Sequence, residues 1–391
     1  MTSGTPLSNV DTQNTIDPAD KTGTAALRKD LAAFAAEHRQ TFDEAERRGR
    51  FPVDLYREMG RRGWVGSVTP PEFGGSGGGV WEYCVIAEEV GRLGIVSPQT
   101  AIQGELWLLD WGTDLQKADL LPGLASGEIV FSESISEPGV GSALRSVTTT
   151  ATRDGDAWII NGRKTHVNLG AESSLTVVYA VADEGLTAFL VPMDTAGVHT
   201  RGTDPIGLRL IPTADVDFDD VRVPSSAVLG SPGQGLKTFL STFNTSRLGN
   251  ASELIGLARR GFIEAVDYAS AREVGANVVT DFQGLQWELT DCYQAISAAM
   301  RFRDEAAAVI ASGEDPSFAT SLAKSAAIDA AELTGKVMFG LVGGHGLYND
   351  QPFWRTLADI KVLRTAGGSR EVLRNFIAKQ ILRSDDLGGL R

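Results

Sequence analysis

Apolar positions recur with a helical period at both ends of this chain and alternate with a period of two in the middle. Leu27, Leu31, Phe34 and Ala35 share one face of a helix predicted over 25–38. Phe51-Pro52 opens a second, with Pro at a helix-start position and Leu55 and Met59 on one side. Gly63-Trp64-Val65-Gly66 and Pro70-Pro71-Glu72-Phe73-Gly74-Gly75 form a breaker-dense connection, after which 81–93 and 101–111 again read as helices. From Ile129 to about Gly230 the texture changes to short alternating runs at 175–182, 186–191 and 216–218. After Gly233-Gln234-Gly235, helical patterns return over 236–272, 280–312, 316–342 and 354–382. Residues 1–22, rich in Thr, Ser, Asn, Asp and Pro, lack any period and read as a disordered tail. The division is therefore a tail at 1–22, a helical domain at 23–128, a β domain at 129–233 and a helical domain at 234–391. The chain is of the α+β class, with no internal repeat.

Within the β region, the stretch from Glu133 to Asn168 carries the chemistry. Ile135 stands between Ser134 and Ser136, and the strand then breaks at Pro138-Gly139-Val140-Gly141. Such a turn brings bare backbone N–H groups, with the hydroxyls of Ser136 and Ser142, close to a flat polar ligand. Gly155-Asp156 followed by Ala157-Trp158-Ile159-Ile160-Asn161-Gly162-Arg163-Lys164 reads as a turn and the hairpin strand that closes the same sheet. Taken alone, this is also the pattern of a plain surface hairpin.

Composition narrows the classes. The 391 residues carry a formal charge of −14, which argues against nucleic acid or an anionic membrane as partner but not against a small anionic ligand. Cys84 and Cys292 give neither a disulfide framework nor metal-ligand spacing, and the four histidines are scattered. With no apolar run of membrane-spanning length and no signal peptide, a cytoplasmic protein is expected.

Several motifs fall in order along the chain. They are Phe51-Pro52 with Leu55-Tyr56, Glu72-Phe73-Gly74-Gly75, and Ser136-Glu137-Pro138 with Gly141-Ser142. Asn161-Gly162 with Lys164, and Asp219-Asp220-Val221-Arg222-Val223-Pro224 before Val228-Leu229-Gly230, complete the set. In these the chain resembles the acyl-CoA dehydrogenase family, from about Asp30 to Arg383. The resemblance implies a helical N-terminal domain, a middle β-sheet domain and a C-terminal four-helix bundle. It also implies FAD held across a subunit interface, hence a homodimer or homotetramer, and electron-transfer flavoprotein as acceptor. The family oxidises an acyl thioester of CoA or of a carrier protein between Cα and Cβ. A carboxylate removes the α proton while a hydride leaves to the flavin.

Carried over position by position, Ile135 and Ser136 match the flavin-facing strand end, and Ser142 a residue near flavin phosphate or ligand. Arg272 matches the arginine on the FAD pyrophosphate and Gln283 a second FAD contact. Gly343-Gly344-His345-Gly346 matches a loop that approaches the neighbouring subunit's cofactor. Gln103, Phe243, Asn244 and Arg247 fall at the substrate channel, Asn244 in place of the usual Asp, while Gly367 and Gly368 leave room beside the flavin.

Other positions depart. His166 replaces a flavin-screening Trp, and Val167-Asn168-Leu169 replaces Ile-Thr-Asn, which leaves Asn168 among the cofactor candidates. Both usual base positions lack a carboxylate, one being Gly367 and the other Ser246. Glu105 is either a relocated base or a solvated helix glutamate. His166 either moves a proton or packs in place of the Trp, and Glu133 shares a strand face with Ile135. Three readings follow: an FAD-dependent acyl-thioester dehydrogenase or desaturase of specialised metabolism; the same fold and FAD running a monooxygenase or redox-neutral cyclisation or elimination; and a non-catalytic scaffold.

Overall fold

The computed structural model describes residues 24–349 and 351–384, so the tail expected over 1–22 lies outside the described residues. Six helices come first: α1 (Ala25–Glu37), α2 (Arg39–Arg48), α3 (Val53–Arg61), α4 (Gly79–Leu93), α5 (Gln99–Trp111) and α6 (Asp114–Ala125). Leu31, Phe34 and Ala35 are buried together with Leu55, Met59, Trp64 and Ile86, as helical spacing predicts. Two of the six escape the apolar pattern. α2 buries only Phe42 and Glu46, and α6 starts on a capping box in which Thr113 Oγ1 accepts from the Gln116 amide while Gln116 Oε1 accepts from the Thr113 amide.

The middle region contributes β1 (Phe131–Ser134), β2 (Thr150–Asp154), β3 (Ala157–Asn168), β4 (Leu175–Ala182), β5 (Gly185–Pro192), β6 (Val198–Gly202), β7 (Thr213–Pro224) and β8 (Val228–Leu229). They form one sheet in the order β6-β7-β3-β2-β4-β5-β8, with β1 running parallel to β4. The hairpin at Gly155-Asp156 pairs Arg153 with Trp158, as expected. The run at 216–218 extends to the twelve residues of β7, because Val216, Phe218, Val221 and Val223 all bury against Trp158, Ile160 and Phe189. In β1, Phe131 packs near Trp107 of α5, while Ser132 and Ser134 turn the other way and hydrogen-bond Ser173 and Thr176, each at 2.9 Å.

The C-terminal region holds α7 (Gly235–Ser241), α8 (Phe243–Ala271), a short ribbon of β9 (Glu273–Val274) and β10 (Asn277–Val278), then α9 (Gln283–Ser312), α10 (Ser317–Val342), α11 (Phe353–Leu363) and α12 (Arg370–Arg383). Leu254, Ile255, Ile296, Met300, Ile328, Ile360, Leu363 and Leu373 close the bundle core from all of its long helices. The continuous helices expected over 236–272 and 354–382 are both interrupted, the first at Thr242 and the second over 364–369. At the second break Gly367 and Gly368 adopt φ of 68° and 102°, and Ser369 Oγ accepts from the Val372 amide to start α12.

Glu88 joins the two helical regions. It is fully buried on α4 and takes ion pairs from Arg28 of α1 at 3.1 Å, from Arg303 of α9 at 2.8 Å, and from Arg259 of α8. Burial pushes its carboxyl up, but the three guanidiniums outweigh that and hold it well below the usual carboxylate range. The backbones of α4 and α8 meet here without intervening side chains: a Cβ on Gly256 would stand 1.9 Å from the Glu88 carbonyl oxygen. No helix among the described residues is long and apolar enough to cross a membrane.

Candidate active site

The turn after β1 is held from within by Glu137. Its two carboxylate oxygens accept from the amide and hydroxyl of Thr148 at 2.8 and 2.6 Å, and from the amide and hydroxyl of Thr149 at 2.9 and 2.6 Å. Lys164, fully buried, donates to Glu137 Oε1 at 2.9 Å and to the Ile135 carbonyl at 3.2 Å. Burial opposes the charge on Glu137, but these hydrogen bonds prevail and set its pKa at about 2. Burial draws the Lys164 ammonium down to about 8 against the pull of Glu137. Around this anchor the turn is open. A Cβ added to Gly139 or Gly141 would meet nothing within 4 Å, Ser142 is exposed, and Ser136 is half-buried beside the buried Ile135.

β3 bulges beside the turn. Its pairing with β7 shifts register between Lys164 and Val167, and His166 sits there with a φ of 56° and an exposed side chain. A non-glycine residue in this left-handed region costs about 1–2 kcal/mol, and a bulge of this kind re-aims a side chain away from the ladder. Thr165 donates its amide to the Ser136 carbonyl at 2.9 Å, so the bulge is fixed to the strand end. Asn168, two residues on, is exposed as well.

Where α5 crosses α8, Ser246 and Gly367, the two positions where the family resemblance expects a base, come together. Ser246 donates to Gln103 Oε1 at 3.3 Å, and its carbonyl accepts from Asn250 Nδ2 at 3.0 Å. The same Asn250 nitrogen lies 2.8 Å from where a Cβ on Gly367 would stand. Arg247 donates Nε to the Gly367 carbonyl at 3.2 Å and Nη1 to Asn244 Oδ1 at 3.1 Å, and its guanidinium covers the Phe243 ring at 4.7 Å. Gln103, Phe243, Asn244, Arg247 and Gly367 thus form one neighbourhood, and Gly368 follows on the same loop. Asn250 was not among the candidates from sequence; its place one helical turn after Ser246 was the available signal.

The acids divide by direction. The reading of Glu105 as a solvated helix glutamate is overturned: the residue is fully buried, because it faces the N-terminal helices and not solvent. Its Oε2 accepts from Thr69 Oγ1 at 2.8 Å, its Oε1 has no partner among the described residues, and burial pushes it up to about 8. Glu133 is half-buried on β1 with Oε1 shielded and unpartnered among the described residues. Burial raises it to about 8, and its charge reaches the buried Tyr179 phenol.

Arg272 and Gln283 are exposed at the far end of the bundle, beside exposed Val274, Phe282 and Trp287. Gly343 and Gly344 are exposed in the short helix Gly343–Leu347, where a Cβ on either would meet nothing within 4 Å. Among the described residues no hydrogen bond or ion pair links these positions to the turn. The chain therefore offers two separate sets: hydroxyls and open backbone suited to a flat heteroaromatic ring, and an exposed guanidinium suited to a diphosphate. Together they fit FAD.

Comparison with known proteins gives three family models in sequence. "Acyl-CoA dehydrogenase, N-terminal domain" matches residues 22–128, the "middle domain" matches 132–221 and the "C-terminal domain" matches 233–382. The short-chain specific acyl-CoA dehydrogenase, mitochondrial, of Rattus norvegicus is 32% identical over 348 residues, covering 85% of this chain and 84% of the relative. A chain of the solved structure "Electron transferring flavoprotein of Acidaminococcus fermentans: Towards a mechanism of flavin-based electron bifurcation" superposes with a TM-score of 0.89 at 28% identity, covering 94% and 100% of the two chains. A glutaryl-CoA dehydrogenase from Mycobacterium smegmatis in complex with FADH2 superposes with a TM-score of 0.85 at 25% identity, covering 97% and 98%.

Proposed function

The chain belongs to the acyl-CoA dehydrogenase family, whose members are FAD flavoproteins, and on that premise we propose an oxidoreductase that acts on an acyl thioester of CoA or of a carrier protein with a relocated base. The observation that supports this reading is the junction of Ser246, Asn250 and Gly367, where the substrate candidates Gln103, Asn244 and Arg247 gather and neither residue at an expected base position can take the α proton. Ser136 and Ser142, with the backbone of the turn, bind and orient the flavin ring. His166 and Asn168 border it from the bulge. When bound, FAD accepts the hydride leaving Cβ. Arg272, Gln283, Gly343 and Gly344 serve the cofactor of a second copy, which makes the working unit a homodimer or a pair of dimers.

Three groups compete for the α proton. Glu133 stands first, because it shares the β1 face with Ile135 and burial brings its carboxyl to about 8, close to a working pH near neutrality. Glu105 has the same affinity for a proton but turns toward Thr69 in the N-terminal helices. His166 is open to solvent at the bulge. Loss of the family's base supports a role in specialised biosynthesis, and the Acidaminococcus likeness supports an electron-transfer flavoprotein as acceptor.

Anaerobic absorbance of the purified protein with a panel of acyl-CoA and acyl-carrier thioesters tests the reading. A flavin band bleached by one thioester supports it, and Glu133→Gln, Glu105→Gln and His166→Ala then locate the base. A yellow protein that no thioester bleaches, but that hydroxylates or rearranges one in air, moves the chemistry to the oxygenase or redox-neutral branch. A protein that cannot be loaded with FAD leaves only a scaffold.

A further inference from the structure

We infer that the substrate brings a carboxylate of its own on the acyl portion, and that Arg247 pairs with it beside Gly367. Arg247 is half-buried on α8, and every acceptor it reaches is neutral: the Gly367 carbonyl, Asn244 Oδ1 and, at 2.9 Å, Ser321 Oγ. No carboxylate lies within ion-pair distance of it among the described residues, and its Nη2 donates to none of them. Other shielded guanidiniums in this chain do not behave so: Arg28, Arg259, Arg260 and Arg303 each face a carboxylate. A guanidinium taken partly out of water without a counter-charge is costly, and a ligand anion removes that cost. Burial alone accounts for the fall of Arg247 to about 10, since no acid acts to raise it.

A second cation strengthens the case. Lys324 of α10 is fully buried and donates to the Leu363 carbonyl at 2.8 Å, at the end of the helix that leads into the Gly367 loop. Burial depresses it first of all, Glu253 pulls the other way, and Arg247 adds a like-charge repulsion. Glu253 is itself pushed up to about 7 by burial, so it balances the pair only in part. Gly367 packs against the same stretch of α8, since a Cβ there would lie 3.5 Å from Arg247 Cα and 2.8 Å from Asn250 Nδ2. An enzyme with a glutamate at 367 would fill that side with its own negative charge. Here Nε and Nη1 of Arg247 hold the guanidinium in place, and Nη2, which donates to none of the described residues, is left for the carboxylate of a ligand.

The inference rests on the acyl-thioester reading for the class of ligand, and its test is separable from that reading. Unreactive ketone analogues of malonyl-, succinyl- and glutaryl-pantetheine are titrated calorimetrically into the FAD-loaded protein, alongside their terminal methyl esters. The carboxylates bind tighter by on the order of tenfold to a hundredfold, Arg247→Gln abolishes that preference, and Arg247→Lys keeps part of it. Equal affinity for acids and esters, no binding of either, or a preference that survives in Arg247→Gln overturns the inference. Because the analogues cannot react, this result stands apart from whether any thioester bleaches the flavin.

Discussion

Asn250 Nδ2 lies 2.8 Å from the point where a Cβ on residue 367 would stand, so any larger residue in this loop between α11 and α12 must displace that amide from α8. The positive φ of Gly367 adds to that requirement. A glutamate at this position, where the family resemblance places an expected base, therefore works against the fold.

Gly367→Glu should lower stability by about 1–3 kcal/mol and should not create or raise thioester oxidation. Thermal denaturation and the anaerobic flavin assay decide this together. An unchanged melting temperature accompanied by faster bleaching would show that the loop adapts and that the glycine is not required.

Glu137 offers a test in acid. Its carboxyl has a pKa of about 2 when folded against 4.5 as the ordinary value, so its contribution is complete above 4.5 and is lost as pH falls toward about 2. Glu137→Gln should flatten the acid limb of a stability–pH curve followed by circular dichroism. Glu137→Ala, which leaves Lys164 buried without its counter-charge, should cost about 3–5 kcal/mol. An acid limb identical in wild type and Glu137→Gln would remove this carboxylate from the account.

The opposite sign applies around a cavity of about 30 Å³ where Ile95, Leu210 and Leu257 meet. Glu46, Glu253 and Asp359 line it, and burial first of all pushes them up to about 7, 7 and 6. Groups raised in the folded state stabilise fully below their unfolded values, and that stability is lost as pH rises through 6 to 7. Melting temperature should fall between pH 5.5 and pH 8.5, and Glu253→Gln should shrink the fall. A slope untouched by the substitution would mean that Glu253 does not titrate there.

Arg272→Ala should purify folded but nearly free of flavin, since the side chain is exposed and makes no hydrogen bond or ion pair among the described residues. The ratio of flavin to protein absorbance measures this directly. Normal occupancy would break the assignment of Arg272 to the FAD pyrophosphate.

Much of the architecture was legible because burial follows period: Leu31, Phe34 and Leu55 in the helices, and Val177 and Phe189 in the strands, all lie in the core. What escaped pattern reading was held by polar contacts or backbone conformation. α2 fully buries only Phe42 and Glu46, and α6 depends on Thr113 and Gln116. The break before α12 depends on two positive-φ glycines. At the site, the motif residues Ser136, Ser142 and Glu137 could be found in order, because turns advertise themselves through Pro and Gly. The partnership of Asn250 with Gly367 spans 117 positions in the chain, by subtraction of the two residue numbers, and no local rule reaches that far. The burial of Glu105 was equally invisible, since it depends on Thr69 arriving from a distant loop.

The carboxylate of Glu88 also governs how the molecule comes apart. Arginines from α1, α8 and α9 end on a single pair of oxygens, so α1 cannot peel away without exposing a charge that the other two helices share. Amide protons in α1 and α4 should then exchange with solvent at the rate of those in α8, as one opening event. The first helices and the last bundle, far apart in sequence, form a single cooperative unit.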